Sequence, residues 1–338
     1  MQETIVSELN AALAAVRGGD LNTAGAIAQR LLQNYPGDAA VHQLLAEVAL
    51  RHGEIAQAML SARESLARRP DHVPALLLAG RAARAAEDLA RAVGFFRRAT
   101  MLAPERADAA FLTCATLLEL GDPDAGALLT RLLESFPDDS TGWSLLGDSL
   151  QRAGKLEAAL MAFTRAARAN PSLALALRRG ALLESLGRLG AALDAYRAAV
   201  QMAPESAEAS LKLGLCLQRT RDVESARVAL ERAVTLGPPS SEAWFALGLI
   251  RQDQREHAAA TKAYRRALDI RPDLAEAAVN LGICYQELGN LPQAKALYRR
   301  ALDVRPDSFG RIAQALAAAP VGEVWLDVAE LRRSLAGG

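Results

Sequence analysis

Cysteine and histidine are the residues most able to do chemistry here, and neither is spaced for it. Cys114, Cys216 and Cys284 lie too far apart in the chain for a C-x-x-C redox pair or a thiolate cluster, so they read as small packing residues in a reducing compartment. His42, His52, His72 and His257 have no second histidine or carboxylate at zinc spacing, and they read as helix surface. There is no glycine-rich phosphate loop, no G-x-S-x-G elbow and no pair of carboxylates in an unusual setting. The expectation is a chain without catalytic residues, metal or cofactor. Arginine pairs recur at Arg97-Arg98, Arg265-Arg266 and Arg299-Arg300. Their spacing suits cations at helix C-termini, which the helix dipole favours. Formal net charge is zero and no aromatics interleave with the arginines, so nucleic acid is not the expected partner.

The elements that would carry these residues are set by a clock. Proline recurs at Pro36, Pro70, Pro104, Pro137, Pro171, Pro204, Pro238, Pro272 and Pro306, at steps of 33 or 34 residues. Self-similarity at that period means a stack of small units, none able to bury its apolar face alone. Such a stack grows by adding neighbours, so 338 residues need no domain boundary. Hydrophobic residues make up 51% of the chain and aromatics 4%. The apolar content is therefore mainly alanine and leucine, strong helix formers. The first residues, MQETIVSELNAALAAVRGGD, lack a basic stretch before an apolar core and read as structural rather than as a cleaved leader. No run of 18 residues is apolar and uncharged, so no membrane insertion is expected, and the default address is cytoplasmic.

With each proline at position 32, the fifth unit reads STGWSLLGDSLQRAGKLEAALMAFTRAARANPSL and the ninth AEAAVNLGICYQELGNLPQAKALYRRALDVRPDS. Trp143 and Trp244 stand at position 4. Leu146, Leu213, Leu247 and Leu281 stand at position 7, and Gly80, Gly147, Gly180, Gly214, Gly248 and Gly282 at position 8. Alanine holds position 20 (Ala58, Ala92, Ala159, Ala192, Ala226, Ala260, Ala294) and position 27 (Ala99, Ala166, Ala199, Ala233, Ala267, Ala301). Position 24 carries Phe96, Phe163, Tyr196, Tyr264 and Tyr298. The pattern resembles the tetratricopeptide repeat family, whose unit is a helix A, a tight turn and a helix B. The resemblance implies an all-α, right-handed superhelical solenoid of antiparallel helix pairs. About nine units fill 1–308, at approximately 5–38, 39–72, 73–106, 107–139, 140–172, 173–206, 207–240, 241–274 and 275–308. Residues 309–338 would follow as C-terminal capping helices, with Trp325, Leu326, Val328, Leu331 and Leu335 facing the ninth unit, or as a tail folded back on the groove or onto a partner.

Each signature has a physical reason. Small residues at positions 8 and 20 allow close approach where helices A and B cross, and the aromatic at 24 fills the remaining space. The terminal proline ends helix B. Asp71, Asp138, Ser172, Asp273 and Asp307 follow it, and Asp273 with Glu276 has capping-box spacing. The A-to-B turn has Gly53, Gly121, Gly154, Gly187 and Gly289, but Glu87, Arg221 and Arg255 elsewhere, which in a left-handed conformation would each cost roughly 1 kcal/mol. Units four and six lack one residue, near Gly121 and near Ser172. Arg179 occupies position 7, so either the register slips or a charge enters the crossing.

In this family the A helices line the inside of the superhelix, with positions 2, 5, 9, 12 and 13 facing the groove. In units six to nine, positions 5 and 9 hold Leu177 and Ala181, Leu211 and Leu215, Phe245 and Leu249, Val279 and Ile283. That is an apolar stripe. Position 12 adds the amides Gln151, Gln218, Gln252 and Gln286, interrupted by Glu184. Arg178, Lys212, Arg152 and Arg219 add positive charge. The reading is a non-enzymatic scaffold or adaptor holding a protein partner, as an amphipathic helix or extended apolar peptide, in the groove of the C-terminal units. Of equal weight is that these residues touch only each other and the chain's own C-terminal helices. Self-association into a structural solenoid, or service as an accessory of a bacterial envelope-polymer or secretion complex, are the other classes. An asparagine ladder at position 6, as in relatives fused to a glycosyltransferase, is absent except for Asn280. The lysine and asparagine clamp of chaperone adaptors is missing, with Phe245 and Leu249 in its place.

Overall fold

In the computed structural model, residues 2–238 and 240–318 are described, and among them every regular element is helical. The chain divides into two compact units, Met1–Asn170 and Pro171–Gly338. The first contains five helix pairs: α1 (Gln2–Gly18) and α2 (Leu21–Asn34), α3 (Ala39–His52) and α4 (Ile55–Arg68), α5 (Val73–Ala85) and α6 (Leu89–Leu102), α7 (Ala107–Leu120) and α8 (Ala125–Ser135), α9 (Ser140–Arg152) and α10 (Leu156–Ala169). The second contains four: α11 (Leu173–Ser185) and α12 (Leu189–Met202), α13 (Ala207–Arg219) and α14 (Val223–Leu236), α15 (Ser241–Asp253) and α16 (His257–Ile270), α17 (Ala275–Glu287) and α18 (Leu291–Val304). One 3-10 turn at Pro306–Ser308 then leads into α19 (Phe309–Ala318). Within each unit a helix packs mainly on its sequence neighbours, and A helices of successive repeats touch, as α13 does with α11 and α15. The second expected C-terminal helix, with Trp325, Leu326, Val328, Leu331 and Leu335, lies outside the described residues.

The helix crossing explains the repeat signature. A Cβ on Gly147 would come 2.6 Å from the Phe163 ring, so position 8 must be glycine for the aromatic of helix B to reach the A helix. Gly80, Gly180, Gly248 and Gly282 receive Phe96, Tyr196, Tyr264 and Tyr298 in the same way. Gly180 still meets Tyr196, so the register does not slip at the neighbouring Arg179; the charge enters the crossing instead, half-buried and with its Nε shielded from solvent. The A-to-B turns take positive φ at all five glycines and also at Glu87 (62°), Arg221 (63°) and Arg255 (60°). These three side chains therefore sit in the strained left-handed region.

Helix starts differ from the expectation. Caps fall two residues after the proline: Asp38 accepts from the Ala40 and Val41 amides, Asp139 from Gly142, Ser206 from Ala209 and Ser240 from Ala243. Asp273 and Glu276 form no capping box, because α17 starts at Ala275 with Leu274 as its cap residue and Glu276 instead accepts from Arg305 at 2.8 Å. Ser172 does cap α11, since the missing residue shortens that connection. In unit four the missing residue coincides with a short B helix, α8, of 11 residues. His42, expected on the surface, is buried, and its Nε2 lies 2.8 Å from the Pro36 carbonyl oxygen.

Candidate functional site: the wall of A helices

The site residues sit where the A helices of the second unit lie side by side. Leu177 on α11, Leu211 and Leu215 on α13, Phe245 and Leu249 on α15 and Ile283 on α17 are all half-buried. Val279 on α17 differs: it is 1% exposed. Half-buried Phe245 leans on the Tyr264 ring at a centroid distance of 5.8 Å. Arg178 is exposed and Lys212 half-buried. Arg219 is exposed and donates to half-buried Glu184 Oε1 at 2.9 Å, an ion pair within the chain.

The amide ladder has a different use from the one its spacing suggests. The Tyr264 hydroxyl donates to Gln252 Oε1 at 2.8 Å, and the Tyr298 hydroxyl to Gln286 Oε1 at 2.8 Å. Tyr196 donates to Glu184 Oε2 at 2.7 Å. Position 12 is thus the acceptor that satisfies the buried phenol of its own repeat, since a hydroxyl taken from water needs a partner. Burial, and in Tyr196 the Glu184 carboxylate as well, pushes all three phenols well above their ordinary pKa. Gln218 belongs to the repeat with Leu230 at position 24 and meets no tyrosine; it is half-buried. The signal was available in the sequence, because tyrosine rather than phenylalanine stands at position 24 in the repeats whose position 12 is spent.

At the ninth repeat the wall is covered. The Arg311 guanidinium donates to Asn280 Oδ1 at 2.6 Å, and Gln286 Nε2 donates to the Ala315 carbonyl at 3.0 Å. Ile312 and Leu316 are fully buried in the cluster that holds Val279, Cys284 and Tyr298, against which Phe245, Leu249 and Ile283 also pack. α19 therefore lies along α17, and buried Gln286 meets it through the Ala315 carbonyl.

A second stretch of wall, in the first unit, was not singled out from the sequence. Leu9, Leu13 and Val16 of α1 with Leu44 of α3 and Leu78 of α5 line a hollow of ≈ 490 Å³, rimmed by Arg17, Glu47 and Arg51. These are positions 5, 9, 12 and 6 again. The rule applied to units six to nine, carried to unit one, would have found Leu9, Leu13 and Val16; Leu44 and Leu78 stand at position 6 of units two and three, outside it.

The cysteines are buried and unpaired. Burial pushes the thiols up, to about 11 for Cys114 and Cys216 and about 12 for Cys284, so they are poor nucleophiles. No group of three or more His, Cys, Asp or Glu among the described residues could hold a metal ion. No described helix is long and apolar enough to cross a membrane. Arginines at position 26 bind the preceding loop: Arg98 donates to Asp71 at 2.6 Å, Arg232 to the Pro204 carbonyl at 2.7 Å and Arg300 to the Pro272 carbonyl at 2.7 Å. They are structural clamps.

Models of the tetratricopeptide repeat match residues 9–73, 44–110, 116–174 and 177–241, and a further one matches 239–307. The chain belongs to the tetratricopeptide repeat family. No curated protein matches it. Among solved structures this tetratricopeptide repeat chain is similar to MamA, at 26% identity over 48% of this chain and 96% of that one, with a TM-score of 0.46. It is also similar to MamA 41-end from Desulfovibrio magneticus RS-1, at 20% identity over 50% and 96%, TM-score 0.46. A third is YrrB, described as a TPR protein with an unusual peptide-binding site, at 22% identity over 56% and 96%, TM-score 0.49.

Proposed function

We propose that this tetratricopeptide repeat protein is a non-catalytic interaction scaffold whose A-helix wall in the second unit holds an amphipathic helix or an extended apolar peptide of a protein partner. The observation that carries this is α19. α19 packs on the ninth repeat through an apolar pair four residues apart, Ile312 and Leu316, and is held by the Arg311–Asn280 and Gln286–Ala315 hydrogen bonds. Helix-in-groove recognition uses this spacing of anchors. The wall continues from α17 onto α15, α13 and α11 through half-buried Leu249, Phe245, Leu215, Leu211 and Leu177, with half-buried Lys212 beside them for an acidic group on the partner.

The test is crosslinking mass spectrometry in the native cell, comparing wild type with the Leu177→Glu, Leu211→Glu variant. Those two leucines are the cleanest choices, because Phe245 also supports Tyr264. With helicity retained by circular dichroism, partner crosslinks should disappear. Unchanged crosslinks would reject the wall as the binding surface.

A further inference from the structure

The opposite side of the repeats, formed by the B helices, carries hollows that no groove reading uses. One lies between α4 and α6 (≈ 470 Å³), one between α12 and α14 (≈ 430 Å³) and one between α16 and α18 (≈ 330 Å³). Their lining residues fall at equivalent repeat positions, so helix packing alone makes the space. A hollow by itself is therefore not a site, and what matters is how one of them departs from the others.

The α4/α6 hollow departs in charge and in exposed apolar surface. Its floor is Leu66, Leu76 and Phe95. Leu60 stands at the rim 54% exposed, an apolar side chain left over an apolar floor. Three cations surround it, Arg63, Arg91 and Arg98, and no carboxylate lines it. In the equivalent hollows a carboxylate is present, Glu224 in one and Asp269 in the other. Arg91 sits 6.0 Å over the Phe95 ring. Arg98 uses one nitrogen on exposed Asp71 and has further donors to offer. Guanidinium groups around an apolar floor match a ligand with carboxylates on either side of an apolar side chain.

We propose that the α4/α6 hollow is a second docking site, distinct from the A-helix wall, for an acidic peptide segment with an aliphatic or aromatic anchor. The anchor fills the floor over Leu66, Leu76 and Phe95, and flanking carboxylates pair with Arg63 and Arg91. The hollow lies within the range of about 300–1,000 Å³ typical of ligand sites. A single-stranded nucleic acid fits less well, because Phe95 is one ring and base stacking needs a succession of them.

The test uses the full chain and a fluorescein-labelled peptide, Glu-Glu-Leu-Phe-Glu-Glu, read by fluorescence anisotropy at low ionic strength. Saturable binding is expected, weakening steeply as salt screens the exposed arginines. The Leu60→Asp, Arg63→Glu variant changes two exposed side chains and should weaken binding at least about tenfold, while the Leu177→Glu, Leu211→Glu variant should leave it unchanged. The last comparison separates this site from the proposed wall. Absence of binding, equal binding by the first variant, equal binding of Glu-Glu-Ser-Ser-Glu-Glu, or displacement by a short oligothymidylate would each overturn the assignment.

Discussion

The walls of the first and the ninth repeats are built from the same repeat positions and end in opposite states. In the first unit Leu9 and Leu13 look into an open hollow of ≈ 490 Å³, and Leu13 remains 39% exposed. In the ninth repeat Val279 and Gln286 are each 1% exposed, and Gln286 is hydrogen-bonded to α19. The helices beneath are alike; what differs is the chain that comes next. After Pro306 the chain supplies Ile312 and Leu316 four residues apart, which lie on one face of a helix and bury together. A repeat position states which way a side chain points. It does not state whether anything lies above it.

The most damaging change should be Tyr298→Ala. That ring is fully buried against Gly282, and removing it should cost about 3–5 kcal/mol in urea denaturation. The ninth repeat and its cover should be lost together. Next comes Ile312→Asp with Leu316→Asp, which strips the cover alone. Its cost is limited to the docking of α19, roughly 2–3 kcal/mol. Amide hydrogen exchange should quicken in α17 and stay unchanged in α1 and α3. Equal exchange in α17 before and after would mean the two walls do not differ.

The phenol contacts sharpen the comparison further. Tyr298→Phe leaves buried Gln286 Oε1 without its donor and should cost about 1–3 kcal/mol. Tyr196→Phe should cost less, about 0.5–1 kcal/mol, because Glu184 keeps Arg219 and some solvent. Melting temperatures of the two variants, side by side, check the order. Arg255→Gly removes left-handed strain of about 1–2 kcal/mol but adds unfolded-state freedom of about 0.5–1. A net gain near 0.5 kcal/mol is expected in the same melts.

The thiol of Cys284 reports the packing of the ninth repeat on the eighth by its ionisation. Its folded pKa is raised from 9.0 to about 12 by burial. The unfolded state therefore loses the proton first: stability held below pH 9 declines as pH rises toward 12. Iodoacetamide at mildly alkaline pH should label Cys284 only as fast as the ninth repeat opens, and faster once α19 is detached. Labelling at the rate of an unfolded thiol would show that the ninth repeat is not packed.

Much of the fold was legible because it is local and repeated. Gly147 facing Phe163 follows from a pattern that each unit states again, whereas the register through Arg179 and the positive φ at Glu87, Arg221 and Arg255 were open in the sequence and settled by the fold. Capping is less legible: Asp273 has cap spacing, but α17 begins one residue too late to use it, with Leu274 as its cap residue. His42 was placed outside, although the turn at Pro36 offers it a carbonyl oxygen and draws it in. The candidate site was legible in direction and not in occupancy. Gln252 and Gln286 do sit at the wall, but Tyr264 and Tyr298 already hold them.

The chain alone determines the period, the helix pairs and the faces they present, because spacing within a few turns fixes which side chains share a side. Only the tertiary structure decides that Gln286 is spent on Tyr298 and Ala315, that Val279 is shut, and that Leu9 and Leu13 stay open. Those outcomes depend on which distant segments bury apolar area on each face, and burial acts on whatever surface is within reach, whatever its place in the sequence.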